Sequence, residues 1–553
     1  MTLRSTVIAL TLLLTAGGLS AQDPHHGPGA HGHHAQSHQL GTVHFPNSGA
    51  AAAQEAFLRG IALLHSFEYE DAQDALREAQ AVDPDFALAY WADALSHTQL
   101  LWGWDDAAAA RRALERLGPT PEARLARAPT ARERAWGAAV EAFYADADVR
   151  TRARAFADSL RSLAAREPGD LEAAAFASLA LQMAGSVGGI QESERVAARE
   201  EAIALAERVF RANRDHPGAA HYLIHVYDDP EIAHRGLEVA RAYAEIAPDA
   251  QHALHMPSHI FVQVGFWDDV VASNERAWAA SRDWVARRGE PGLVPDFHSL
   301  EWLHHGYLQQ GRFRAAAALL DTVRVALAAD DQSGSVNAMF VEPRLTFRHA
   351  AETGDWGLPL TRAEIGHAAA VSPAYADRFA YFSLVDAYQA AVGAILQGDT
   401  SSSSHDALRS LLAGRGPADR GYAALMPMHV EALLARARGD LDGAIEIMTR
   451  AAVVDDAISP VGPPAALPTL EWLGMILMEA GRPAEAANAY ERALVRWPKR
   501  SASLLGLARA RAALGAADAA AESYRALLDN WRNADEDIAA LVEARRGAAN
   551  ATP

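Results

Sequence analysis

Apolar residues along most of this chain recur at steps of three and four, the period of an amphipathic helix, and the striped stretches are separated by short breaks marked by glycine or proline. Alanine-rich runs such as AAREEAIALAERVF favour helices that pack closely. The pattern predicts an all-α chain. In LEWLGMILMEAGRPAEAANAYERALVRWP, two striped segments meet at Gly481, with Gly474, Ala486, Tyr490 and Ala493 at the inner positions and Pro498 as a stop. Gly515, Ala520 and Tyr524 repeat Gly481, Ala486 and Tyr490 at an offset of 34 residues. A first unit reads in RGIALLHSFEYEDAQDALREAQAVDPDFALAYW, through Gly60, Tyr69, Ala72, Leu76, Ala79 and Pro84, with Phe67 standing where the turn glycine is expected. Weaker copies anchor on Gly185, Gly265, Gly311, Gly354, Gly398 and Gly439, with an insertion over 282–296; the pattern is faint from about 100 to 170.

These two-helix units, with small and aromatic residues at fixed places, resemble the tetratricopeptide repeat (TPR) family over nearly the whole chain. The resemblance implies a right-handed α-solenoid of TPR-like helical hairpins, ten pairs or so. It also implies a concave groove, lined by the first helix of each pair, that holds a protein or peptide ligand. The segments HYLIH, HALHMPSHIF and HSLEWLHHGYLQQG are similar to those of exported bacterial TPR proteins of unassigned activity.

The N-terminus carries Arg4, an apolar run and GGLSAQ, the composition of a signal peptide over 1–21. Residues 22–50 read as a disordered tail whose histidines (His25, His26, His31, His33, His34, His38 and His44) make it a metal-scavenging arm or a solvated linker. Repeats are expected over 51–216, 217–339 and 340–534, and a tail over 535–553. No later stretch is apolar enough to span a membrane, so the expected location is periplasmic or secreted. With 50 basic and 70 acidic residues the net charge is −20, which repels nucleic acid. The chain has no cysteine, so thiolate ligands, disulfides and a thiol nucleophile are excluded. Walker and dinucleotide-binding fingerprints are also missing from the sequence, and no nucleotide cofactor is expected.

Histidines carry the candidate chemistry. His221 and His225 lie four residues apart, and so do His255 and His259, 34 residues later. Four-residue steps share one helix face. In the first unit Asp228 joins that face, with Pro217 at the helix start and Asp215 or His216 as cap. In the second, His252 lies three residues before His255, and Pro257 places the regular helix after itself with His252 on a lead-in turn. Aligning Gly311 with Gly265 adds His298, Glu301 and His305 at the same positions of a third helix.

Imidazole and carboxylate donors of this kind suit Zn²⁺, Cu²⁺, Ni²⁺ or Fe²⁺. A further alignment places Arg344 and Arg348 beside them, as an anion clamp or as a salt-bridged wall. Three readings stay open: a binding or scaffold protein with a divalent metal in its groove, a metal-dependent enzyme using the same cluster, or an interaction solenoid with structural histidines. Trp91, Trp102 and Trp104, like Met426 and Met428, read as packing residues.

Overall fold

The computed structural model describes residues 39–187, 191–290, 293–328, 335–356, 376–401, 403–413, 421–458, 462–464 and 467–549. The candidate leader and the histidines from His25 to His38 lie outside them. Helices α1 (Gln54–His65) and α2 (Tyr69–Val82) form the first hairpin. They are followed by α3 (Ala87–Leu95), α4 (Ala107–Glu115), α5 (Pro121–Leu125), α6 (Ala131–Phe143), α7 (Val149–Arg166), α8 (Leu171–Ser186) and α9 (Glu192–Ala212). Next come α10 (Pro217–Tyr227), α11 (Leu237–Ile246), α12 (Gln251–His255), α13 (Pro257–Val264), α14 (Trp267–Arg288), α15 (Phe297–Gln309), α16 (Phe313–Ala328) and α17 (Ser335–Thr353). Helical hairpins continue to the C-terminus, among them Thr469–Glu479 with Pro483–Arg496 and Ser501–Ala513 with Ala517–Asn530. Among the described residues the only sheet is a two-stranded antiparallel ribbon, Thr98–Gln99 with Trp104–Asp105.

Hairpin geometry follows from the residues read in the sequence. The turn residues Gly481 and Gly515 have φ of 71° and 73°, a left-handed conformation that costs glycine nothing. Phe67 occupies the same kind of turn with φ 59°, at a cost of about 1–2 kcal/mol for a residue with a Cβ. Gly506 faces Tyr490 so closely that a Cβ there would lie 2.3 Å from the ring. The helix pairs touch through such small residues, and their apolar stripes merge into continuous cores.

Three elements differ from the sequence reading. Residues 39–50, assigned to the tail, run extended along the repeats and bury Leu40 and Phe45, because an apolar residue on each side of a Gly-Thr-Val segment can dock without helical period. Residues 539–549 form a helix that buries Leu541 and Ala544. Gly185 lies inside α8 rather than at a turn.

An ideal solenoid has contacts only between neighbouring repeats. This array also folds back on itself. His65 of α1 reaches Tyr222 of α10, with Nδ1 2.8 Å from the hydroxyl, and Arg288 of α14 pairs with Asp71 of α2 at 2.6 Å. At the other end the Trp267 indole donates to the carbonyl of Lys499 at 2.9 Å, Ser501 Oγ donates to the carbonyl of Gln309 at 2.6 Å, and the Asp535 amide donates to the carbonyl of Gly311 at 3.0 Å. The first hairpin and the C-terminal hairpins are therefore both pinned to the α10–α15 segment that bears the candidate histidines.

A methyl group at position 506 would drive into the Tyr490 ring, so Gly506→Ala is expected to destabilise the C-terminal hairpins by about 1–3 kcal/mol. Hydrogen exchange of the Ser501–Ala513 amides reports this locally; unchanged protection would contradict the packing described.

Candidate metal centre

Helix α10 begins with His216 as its N-cap, whose Nδ1 accepts from the Ala219 amide at 3.1 Å, and Pro217 fills the first helical turn. It carries His221 and His225 on one face. Helix α12 ends at His255, Met256 caps it, and α13 starts at Pro257, so the proline meets no demand for an amide donor. That break lets His252 and His255 sit on the lead-in helix and His259 on the next. Helix α15, capped by the Asp296 side chain, contributes His298.

These six side chains converge as two adjoining triads, His221 with His225 and His252, and His255 with His259 and His298. Within each triad one ligand atom per residue lies within 4.8 Å of the others. Ring centroids are 4.8 Å apart for His221 and His225, 4.9 Å for His221 and His252, and 4.6 Å for His255 and His298. Across the triads, His225 lies 5.9 Å from His259 and His252 lies 5.8 Å from His255.

Hydrogen bonds decide which nitrogen faces inward for three of the six rings. His259 Nδ1 donates to Asp228 Oδ2 at 2.6 Å. His255 Nδ1 donates to Asn274 Oδ1 at 2.7 Å, and the amide orientation is set because Asn274 Nδ2 donates to the carbonyl of Val270. His221 Nδ1 donates to the carbonyl of His65 at 2.7 Å. With Nδ1 protonated, Nε2 of each neutral ring is a bare lone pair.

His255 Nε2 and His259 Nε2 stand 3.1 Å apart. Two lone pairs repel at that distance unless a cation lies between them, and the candidates are a proton and a metal ion. Two nitrogens each about 2.0–2.1 Å from one ion stand roughly 3.1 Å apart at an N–metal–N angle of about 100°. Burial first, and then His298 and His259, hold His255 well below the usual histidine range, which disfavours a proton there. The third imidazole at the same point fits an ion better than a shared proton. Burial likewise holds His221 down to about 3 and keeps His225 and His252 well below the usual range. Neutral imidazole is the form a metal binds.

The triads open on a cavity of about 530 Å³, whose wall includes His225, His259, His298, Trp102, Trp302 and Arg344. Its size suits a small molecule. Trp302 packs 4.2 Å from the His259 ring, and Phe67 packs 4.2 Å from His221 and 5.5 Å from His252. The strained turn at Phe67 thus places an aromatic ring against the cluster. Of the remaining candidates, Asp228 contacts His259 and Gln263. Glu301 is held by Arg344 at 2.6 Å and Arg348 at 3.0 Å, so these three form an ion cluster in and beside the cavity wall. His305 is buried near Trp267, at 5.5 Å between ring centroids.

With that geometry in place, residues 473–535 match the family model of the tetratricopeptide repeat. A tetratricopeptide repeat is matched over that C-terminal stretch. Among solved structures it is similar to the human IFIT1 dimer with m7Gppp-AAAA, at 13% identity over 88% of this chain and 91% of that one, with a TM-score of 0.35. It is similar also to yeast Tom70, at 13% identity over 90% and 96% with a TM-score of 0.28, and to the APC/C hetero-tetramer Cut9-Hcn1, at 11% over 90% and 97% with 0.26. Curated proteins returned no match. Repeat proteins of this kind bind protein or peptide ligands on their extended surfaces. No helix among the described residues is long and apolar enough to cross a membrane.

Beside the metal-type cluster lies a third polar group that the repeat alignment does not reach. Glu172, fully buried, is 2.8 Å from His65 Nε2 and 3.3 Å from His216 Nε2, while the Tyr222 hydroxyl donates to His65 Nδ1 at 2.8 Å. Burial alone would raise the Glu172 carboxyl; His216 and His65 outweigh it and hold the group well below the usual carboxylate range. These residues come from α1, α8 and the α10 cap, with His65 more than a hundred positions from both Glu172 and His216, so no local spacing announces them.

Removing Glu172 would leave two buried imidazoles without their anion. Glu172→Ala is expected to cost about 3–5 kcal/mol in denaturant unfolding; a loss under about 1 kcal/mol would show the group to be incidental.

Proposed function

We propose that this repeat protein is exported and is a metal-dependent enzyme, in which His255, His259 and His298 hold a transition-metal ion against a small ligand in the adjoining cavity. The carrying observation is the 3.1 Å contact between two Nε2 atoms whose Nδ1 protons are already committed to Asn274 and Asp228. Three protein ligands leave a fourth position open, the arrangement of catalytic rather than structural zinc sites. Imidazole donors suit zinc, copper, nickel and iron, and an ion held by His255, His259 and His298 would supply Lewis-acid chemistry at the cavity wall. Asp228 accepts the Nδ1 proton of His259 and so orients the ring, a role in which removal of the carboxylate costs about 10–100-fold in metal affinity. An alternative role as a protein-binding scaffold is supported by the repeat fold itself, on surfaces other than this cavity.

Protein whose tail histidines from His25 to His38 are replaced by serine is expected to retain zinc after dialysis. His255→Ala with His259→Ala should lose the ion of this triad at unchanged helicity, and Asp228→Asn should weaken its binding by the factor above. Cobalt substituted into the site should change its visible spectrum on adding azide, which enters an open position. No retained metal in the first protein would overturn the proposal, and an azide-insensitive spectrum would exclude the catalytic form of it.

A further inference from the structure

We infer that the centre holds two metal ions, the second bound by His221, His225 and His252, and that a small exogenous anion bridges them from the cavity. This rests on the metal reading of the first triad but on different residues. His221 Nε2 is a lone pair, because its Nδ1 proton belongs to the His65 carbonyl. It lies 3.1 Å from His225 Nε2. That pair alone could be an ordinary hydrogen bond, with His225 donating. His252 is what the hydrogen bond leaves unexplained.

His252 is 7% exposed, its ring stands 4.9 Å from His221, and its Nε2 is buried with no partner among the described residues. An orphaned buried ring nitrogen carries a desolvation cost unless something satisfies it. An ion shared with His221 and His225 does so. The ring is also held in place from both sides: Phe67 stacks on it at 5.5 Å and Trp102 meets it edge-on at 5.2 Å. Its backbone amide donates to Glu68 Oε1 at 2.9 Å, which ties the start of α12 to the first hairpin.

Ring spacings across the two triads, 5.8 and 5.9 Å, are within the range found inside them, 4.6 to 6.3 Å. Ions placed in both would be neighbours, as in two-ion sites about 3.5–4 Å apart. Neither triad contains a carboxylate. Neighbouring carboxylates are engaged elsewhere, Asp228 by His259 and Gln263, Glu301 by Arg344 and Arg348, and Glu68 by the His252 backbone amide. The six imidazoles are neutral ligands that balance none of the ions' charge, and among the described residues neither triad includes a carboxylate that could bridge them. His225 on one side and His259 and His298 on the other line the same cavity, so the bridging position faces it. An all-imidazole set also favours copper, the tightest of the divalent ions for nitrogen ligands, over the oxygen-seeking calcium, magnesium or manganese.

Copper alone serves as the probe, in protein carrying the tail substitutions. Two tightly bound equivalents are expected, with the Cu²⁺ electron paramagnetic resonance signal lost or strongly broadened by spin coupling, and altered again on adding azide. His225→Ala and His252→Gln, which leave the buried His221 bond to the His65 carbonyl in place, should each give one equivalent with a full single-ion signal. His255→Ala should do the same from the other side. One equivalent in the parent protein, lost in His255→Ala and kept in His225→Ala, would overturn the second site and leave the first standing. Two equivalents with two uncoupled full signals would overturn the shared centre. No copper in any of these proteins would overturn both readings, and retained helicity by circular dichroism separates each outcome from misfolding.

Discussion

Everything proposed for this molecule depends on three acceptors that each take one histidine proton. The carbonyl of His65, the amide oxygen of Asn274 and the carboxylate of Asp228 hold the Nδ1 hydrogens of His221, His255 and His259. Each bond turns a bare Nε2 inward. Without them, rings at this spacing would settle into chains of ordinary hydrogen bonds, donor to acceptor, and the cluster would need no cation. With them, lone pairs face lone pairs in a buried setting, where an uncompensated polar atom is costly. The acceptors come from α1, α14 and the end of α10, so the ionic character of the site is a property of the fold rather than of one helix.

That dependence gives the fold-back contacts a purpose. The His65 carbonyl is placed by the Glu172–His65–Tyr222 network, which locks α1 against α8 and α10. The turn just beyond it, strained at Phe67, spends backbone energy to lay an aromatic ring over His221 and His252. A glycine there would relax the turn and leave the rings unsupported. On the other side, the hydrogen bonds of Trp267 and Gln309 with the C-terminal hairpins brace α14 and α15. The cavity is walled by segments from Leu101 to Pro463, so closure of the array, not the groove of a single row of repeats, makes the pocket.

Much of this was legible in the sequence because repeats translate spacing into geometry. The 34-residue offset between the two histidine pairs places His221, His225, His255 and His259 on equivalent faces, Pro257 marks the helix break, and Phe67 stands out where a turn glycine is expected. Two positions from the same alignment behave otherwise: Glu301 is drawn to Arg344 and Arg348 one helix further on, and His305 is buried beside Trp267. An aligned position names a face, while the partner a side chain chooses depends on the neighbouring repeat. His65, Glu172 and Asn274 were not legible, since long-range contacts that break the repeat pattern leave no period to read. The tail histidines other than His44 lie outside the described residues.

X-ray absorption at the zinc edge, on metal-loaded protein with the tail histidines replaced, tests the central claim most directly. The account predicts a first shell dominated by nitrogen at about 2.0–2.1 Å, with the outer-shell scattering of about three imidazoles per ion. A shell dominated by oxygen, with no imidazole pattern, would contradict it.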